Sequence, residues 1–188
     1  MAPISAPKLL TASTFSRFLL LLSLSILMHC FSSQATVQPP WTTEMVLYFQ
    51  DFAAGPNATL IPVAGIAGKL WTFSQFGTVY VTDDFITETP DPNSPLVGRG
   101  QGMYVTSALD GSSTHAMFSI AFTNRAYNGS TLEIQGTSKQ FEAVREYSVV
   151  GGTGKFRFVR GYTTFETISA DTARAYSVLR CNVTIRHD

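Results

Sequence analysis

The chain has 188 residues, with 13 lysines and arginines against 13 aspartates and glutamates, three histidines and two cysteines. That balance, with no basic run, gives no electrostatic footprint for nucleic acid or an anionic membrane as partner. The few histidines and cysteines show no HExxH, GxSxG or zinc-ligand spacing, so a metal site or hydrolase triad is not predicted and no cofactor is expected.

Residues 1–35 read as a secretory signal. Lys8 and Arg17 form a basic n-region, the apolar run 18–28 has h-region length, and Ser33-Gln34-Ala35 offers the small residues a signal peptidase needs. The run is shorter than the ~18–20 apolar residues that span a bilayer, and no later stretch is longer. A secreted, extracellular protein of the apoplast or cell wall is therefore expected. Removing the segment takes away Lys8, Arg17 and Cys30, leaving a slightly acidic chain long enough for one domain. Cys181 then has no partner for an intramolecular disulfide, and its place in the apolar run 175–185 predicts a buried, inert thiol.

The next residues, 36–43, contain Pro39-Pro40 and no periodicity, which predicts a flexible lead-in to a domain over 44–188. Strand patterns follow at 45–51, 60–66, 78–83, 102–107, 115–123, 130–135, 143–150, 155–165 and 175–186, separated by Gly, Pro, Asn and Asp. No amphipathic helix competes with them. Short connections between so many strands predict an all-β sandwich or a closed barrel, and the pattern alone does not choose. Three sequons fit a secreted glycoprotein: Asn57 and Asn128 lie in turn-like stretches, and Asn182 lies in a predicted strand.

Within strand 115–123, Ala116, Phe118, Ile120 and Phe122 share one face and Met117, Ser119 and Ala121 the other. Neither face carries much charge. With no helix to cover the outer side, another subunit is the expected cover. Residues 147–162 read YSVVGGTGKFRFVRGY, two strand-like runs around Gly151-Gly152-Thr153-Gly154. A phosphate-binding loop would have to open a helix, whereas Lys155 is followed by alternating residues, so a hairpin is predicted.

That stretch resembles the signature of the plant dirigent proteins. So do FGTVYVTDD (76–84), LVGRGQGMY (96–104) and AFTNRAYNGSTLEIQG (121–136), in the family's order and spacing from about Met45 onward. The resemblance implies an eight-stranded antiparallel β-barrel with a central cavity, assembled as a homotrimer. Such a barrel can hold one small ligand, and strands rich in Phe and Tyr suit an aromatic one.

Candidate chemistry gathers on a few side chains. Asp51 ends the first strand on the face of Leu47 and Phe49, where apolar neighbours would raise its pKa toward neutrality. The residues alone leave it as either an acid or a turn residue. The resemblance favours the acid, because the family carries an Asp there, commonly after a His that Gln50 replaces. Phe49 would then line the substrate site. Asp83 and Asp84 point to opposite faces of one strand and are read as mainly structural, at least one of them capping or pairing with an Arg. Tyr104 follows Gly98, Gly100 and Gly102, and either packs in the core or offers its hydroxyl to a phenolic ligand. Arg145 shares a face with Tyr147 and Val149, so it needs an Asp or an anionic ligand such as a phenolate. The resemblance matches Arg145 to an Arg of members that couple lignan precursors. Ser138 stands where those members carry a second Asp, which leaves the substrate open.

The family likeness implies a protein that holds phenoxy radicals of phenylpropanoids such as coniferyl alcohol. A separate oxidase, such as a laccase, makes the radicals, and the protein directs their coupling to one stereoisomer. Two alternatives stay open on the same barrel: a cyclase that dehydrates a benzylic alcohol through a quinone methide, as pterocarpan synthases do, and a non-catalytic phenolic-binding defence protein.

Overall fold

The computed structural model describes residues 40–187. The expected signal, 1–35, lies outside the described residues, as does most of the lead-in. Nine antiparallel strands follow in order: β1 (Trp41–Phe52), β2 (Leu60–Ala64), β3 (Val79–Thr87), β4 (Leu96–Thr106), β5 (Ser113–Phe122), β6 (Thr131–Lys139), β7 (Val144–Gly152), β8 (Arg160–Asp171) and β9 (Tyr176–His187). No α-helix occurs among the described residues.

Each strand from β3 to β9 pairs with the next, β9 pairs with β1, and β1 returns to β3 through Tyr48↔Thr87, Phe49↔Ile86 and Gln50↔Phe85. Eight strands thus close into a barrel, which removes the sheet edges that a sandwich would have to protect. The short β2 pairs only with the start of β3, beside the closing seam.

Alternation decides what fills the barrel. Phe49, Phe118 and Phe165 meet edge to face at its centre, with ring centroids 5.2 to 6.1 Å apart. Below them Ile120, Leu132, Val183 and Ile185 are buried, and the ring of Phe156 closes that end against Phe122 and Tyr127. One end of the barrel is therefore packed solid. The other end, where β1 finishes at Asp51 and Phe52, opens into a cavity.

Three predicted strand starts shift by four residues or more, and β3, β6 and β8 run four to six residues past their predicted ends. β1 starts at Trp41, inside the stretch expected to be a flexible lead-in, because Trp41 pairs with His187 and stacks on its ring at 3.5 Å. β4 starts at Leu96 rather than at 102, since Gly98, Gly100 and Gly102 run inside the strand on its inward face. A Cβ at Gly98 or Gly102 would lie 2.2 or 2.4 Å from the backbone of β5, so these glycines admit the neighbouring strand. β8 starts at Arg160 rather than at 155. A single 3-10 turn over Gly154–Phe156 intervenes, with φ of +59° at Gly154 and +69° at Phe158. The alternation of 155–158 was real but served a turn, which buries Phe156 and exposes Phe158.

Candidate functional site

The cavity has a volume of about 260 Å³, with the phenylalanine trio as its floor. Asp51, Asp84, Tyr104, Arg145 and Tyr147 bring its polar groups. Inward parity places each one: Asp51 continues Leu47 and Phe49, Asp84 stands two residues before the buried Ile86, and Arg145 two before Tyr147.

The two carboxylates are held differently. Asp84 is buried and accepts hydrogen bonds from Thr59 Oγ1 at 2.6 Å and Thr82 Oγ1 at 2.9 Å. Burial, and then the nearby charge of Asp51, push its carboxyl up to about 7 against the pull of the two hydroxyls. Asp51 has a buried Oδ1 with no hydrogen-bond partner in the protein. Burial raises its carboxyl to about 6, opposed by the Arg145 guanidinium. Two acids therefore titrate near neutrality over one aromatic floor, and one of them keeps a buried oxygen with no partner in the protein.

Tyr104 remains a protonated phenol, because burial and then the Asp84 charge hold its pKa well above the usual value. Arg145 donates Nη2 to Thr167 Oγ1 at 3.0 Å and Nη1 to the Gln140 carbonyl at 3.4 Å. It sits in no salt bridge among the described residues. An inward guanidinium held by neutral groups is available to a phenolate.

The structure thus brings Phe49, Asp51, Tyr104 and Arg145 together in one cavity. Ser138 has inward parity, on the face of Ile134, but its short side chain is not part of the lining. Asp83 points outward and pairs with Arg99 at 2.6 Å, as expected of one member of the Asp-Asp pair. Asp84 lines the cavity as a second carboxylate, a placement the residue-level reading missed. The signal was there, since Ile86 fixes the inward parity of β3 and Asp84 shares it. Gln50 lies on the other face from Asp51, buried, where it donates to Thr87 Oγ1 at 2.8 Å and accepts from Tyr176 Oη.

Of the sequon residues, Asn57 and Asn128 are exposed in turns. Asn182 is half-buried on the outer face of β9 and donates to Thr164 Oγ1 at 3.2 Å. Cys181 is fully buried on the inner face of β9, 2.9 Å from Thr163 Oγ1, and burial pushes its thiol up to about 12.

The Dirigent-like protein family matches residues 42–186, which takes in every strand of the barrel but the first and last residues. Dirigent protein 1 of Arabidopsis thaliana is 37% identical over 175 residues, covering 86% of this chain and 96% of the relative. Pterocarpan synthase 1 of Glycine max is 34% identical over 146 residues, covering 77% of this chain and 78% of the relative. The solved structure of the pterocarpan synthase dirigent protein GePTS1 superposes with a TM-score of 0.72 at 34% identity, covering 81% of this chain and 88% of that one. A family match over most of the chain, relatives alike over 78 to 96% of their length, and the closed barrel lead to one conclusion: the chain belongs to the dirigent family.

Proposed function

We propose that this protein binds one phenolic molecule in the barrel and fixes the stereochemistry of a step that passes through a quinone methide, with Asp51 handling the proton and Asp84 beside it in the cavity. The observation that carries this reading is the unpartnered, buried Oδ1 of Asp51, a residue that lines the same cavity as Asp84 and Tyr104. The favoured reaction is dehydrative ring closure. Asp51 in its acid form gives its proton to a benzylic hydroxyl, whose C–O bond breaks and releases water. The substrate is bound as its phenolate, steadied by Arg145 and Tyr104, and the phenolate electrons flow into the quinone methide. A second phenolic hydroxyl of the same molecule then attacks the methide carbon, forming the new C–O bond and returning a proton to the Asp51 carboxylate. The sum is loss of one water, with no change of oxidation state.

A cavity of about 260 Å³ lies just below the usual range of small-molecule sites, roughly 300 to 1,000 Å³. It takes one phenolic at a time, and this favours a unimolecular closure. The likeness to pterocarpan synthases supports the same choice. Radical coupling is the second reading. The open mouth favours it, since a second radical made by a separate oxidase could reach one already bound. In either case the protein is secreted, acts as a homotrimer, and carries its glycans at Asn57 and Asn128 with Asn182 less accessible.

Incubation of the purified protein with an isoflavan-4-ol, and separately with coniferyl alcohol with and without a laccase, separates the readings. Ring closure predicts loss of water from the isoflavanol without oxidant. Coupling predicts no turnover without laccase, and an unchanged consumption rate with an enriched enantiomer when laccase is present.

A further inference from the structure

At the open end the cavity wall continues past the strands. Phe73, in the loop between β2 and β3, and Gln140 and Phe141, in the loop between β6 and β7, all line the cavity. Phe141 is nevertheless 71% exposed. A large apolar side chain left in water at the mouth of a cavity marks a surface that gains by being covered.

These loops are held in place. Gln140 Nε2 donates to the Phe73 carbonyl at 2.6 Å and the Gly111 carbonyl at 2.5 Å, so one side chain ties three loops together. The Phe73 ring lies parallel to that of Tyr80 at 4.2 Å. Arg145 joins the same loop to the site through the Gln140 carbonyl. Both amide hydrogens of Gln140 are engaged in these bonds, so the collar offers an arriving ligand apolar surface rather than that donor.

We propose that this collar determines specificity: the preferred phenolic carries an apolar or aromatic extension that leaves the barrel between Phe73 and Phe141, and it is not a glycoside at that position. The inference rests on the phenolic reading of the cavity. The small cavity takes the reacting phenol, and any further ring or chain has to lie in the mouth. There it covers Phe141, whose burial is the source of the added affinity. Phe73 and Phe141 act as specificity residues, outside the acid chemistry below them.

Three ligands with one phenolic head test this: coniferyl alcohol, its benzoate ester on the side-chain hydroxyl, and its glucoside at the same hydroxyl. Calorimetry on the purified protein should show the benzoate bound roughly tenfold more tightly than coniferyl alcohol, and the glucoside no more tightly. Phe141→Ala should bring the ratio of benzoate to coniferyl alcohol affinity close to one, and Phe141→Leu should keep part of the advantage. Equal affinity for the three ligands, a gain with glucose as large as with benzoate, or an advantage that survives Phe141→Ala overturns the collar. If coniferyl alcohol still binds, and binds more weakly to Tyr104→Phe, the cavity reading stands without the collar. If none of the three binds, both fall.

Discussion

Phe49 occupies the space that a side chain on Gly100 would need: a Cβ there would lie 2.3 Å from Phe49 Cε1. The absence of a side chain on β4 is thus what lets Phe49 sit at the centre of the barrel as part of the cavity floor. Gly100→Ala should displace the Phe49 ring, lowering stability by about 1–3 kcal/mol, as overpacking of a filled core does. The melting temperature and the affinity for a phenolic should fall together. Retention of both would mean that the ring has room the structure does not show.

The raised carboxyls make stability depend on pH in a fixed direction. Asp51 and Asp84 bind protons more readily folded, at about 6 and about 7, than at the ordinary value of 3.8. Their contribution is therefore fully present below about 3.8 and is lost as the pH rises through about 6 to 7. Asp84→Asn removes one of the two groups, so its denaturation midpoint should fall less steeply than that of the wild type between pH 4 and pH 8, a window set by these values. Parallel curves for the two proteins would show that Asp84 titrates in the fold as it does in water.

Strand alternation made most of the barrel legible. The inward faces of β1, β5 and β7 follow from Leu47 and Phe49, from Ala116 to Phe122, and from Tyr147 and Val149. Closure was not legible, because the pairing of Phe49 with Ile86 joins residues far apart in sequence, and no local pattern encodes it. The site was read in part. Asp51, Tyr104 and Arg145 stand out as polar groups at inward positions. Asp84 was hidden by its neighbour, since two adjacent acids look like one surface pair until Ile86 is used to set the parity. Phe141 was invisible for another reason: it follows the end of β6, where alternation stops and only the loop's hydrogen bonds fix its direction.

Cys181 should resist thiol reagents in the native protein. It is 0% exposed, and burial holds its thiol at about 12, so the reactive thiolate is scarce. Labelling with a disulfide reagent should proceed only at the rate of unfolding. Stoichiometric labelling within seconds in native buffer would contradict its placement.

Val81, Met103 and Met117 form one row across the outer faces of β3, β4 and β5, at 39, 39 and 40% exposure. A homotrimer would cover this row. Light scattering on the deglycosylated protein should give the mass of three chains at micromolar concentration. Met117→Glu should reduce it to one chain, since a buried unpaired charge is costly at an interface, and leave the far-ultraviolet spectrum unchanged. A wild-type monomer would contradict the trimer, as would a Met117→Glu trimer contradict this face as its contact.

The most direct test of the acid role is turnover by Asp51→Asn. The substitution keeps the shape of the side chain and removes its titrating proton. With an isoflavan-4-ol and no oxidant, the wild type should release water and give one enantiomer of the closed ring. Asp51→Asn should slow that release by roughly 10²- to 10⁴-fold, the usual worth of one positioned general acid. Wild-type rate and enantiomeric excess in Asp51→Asn would make Asp51 a turn residue and contradict the proposed chemistry.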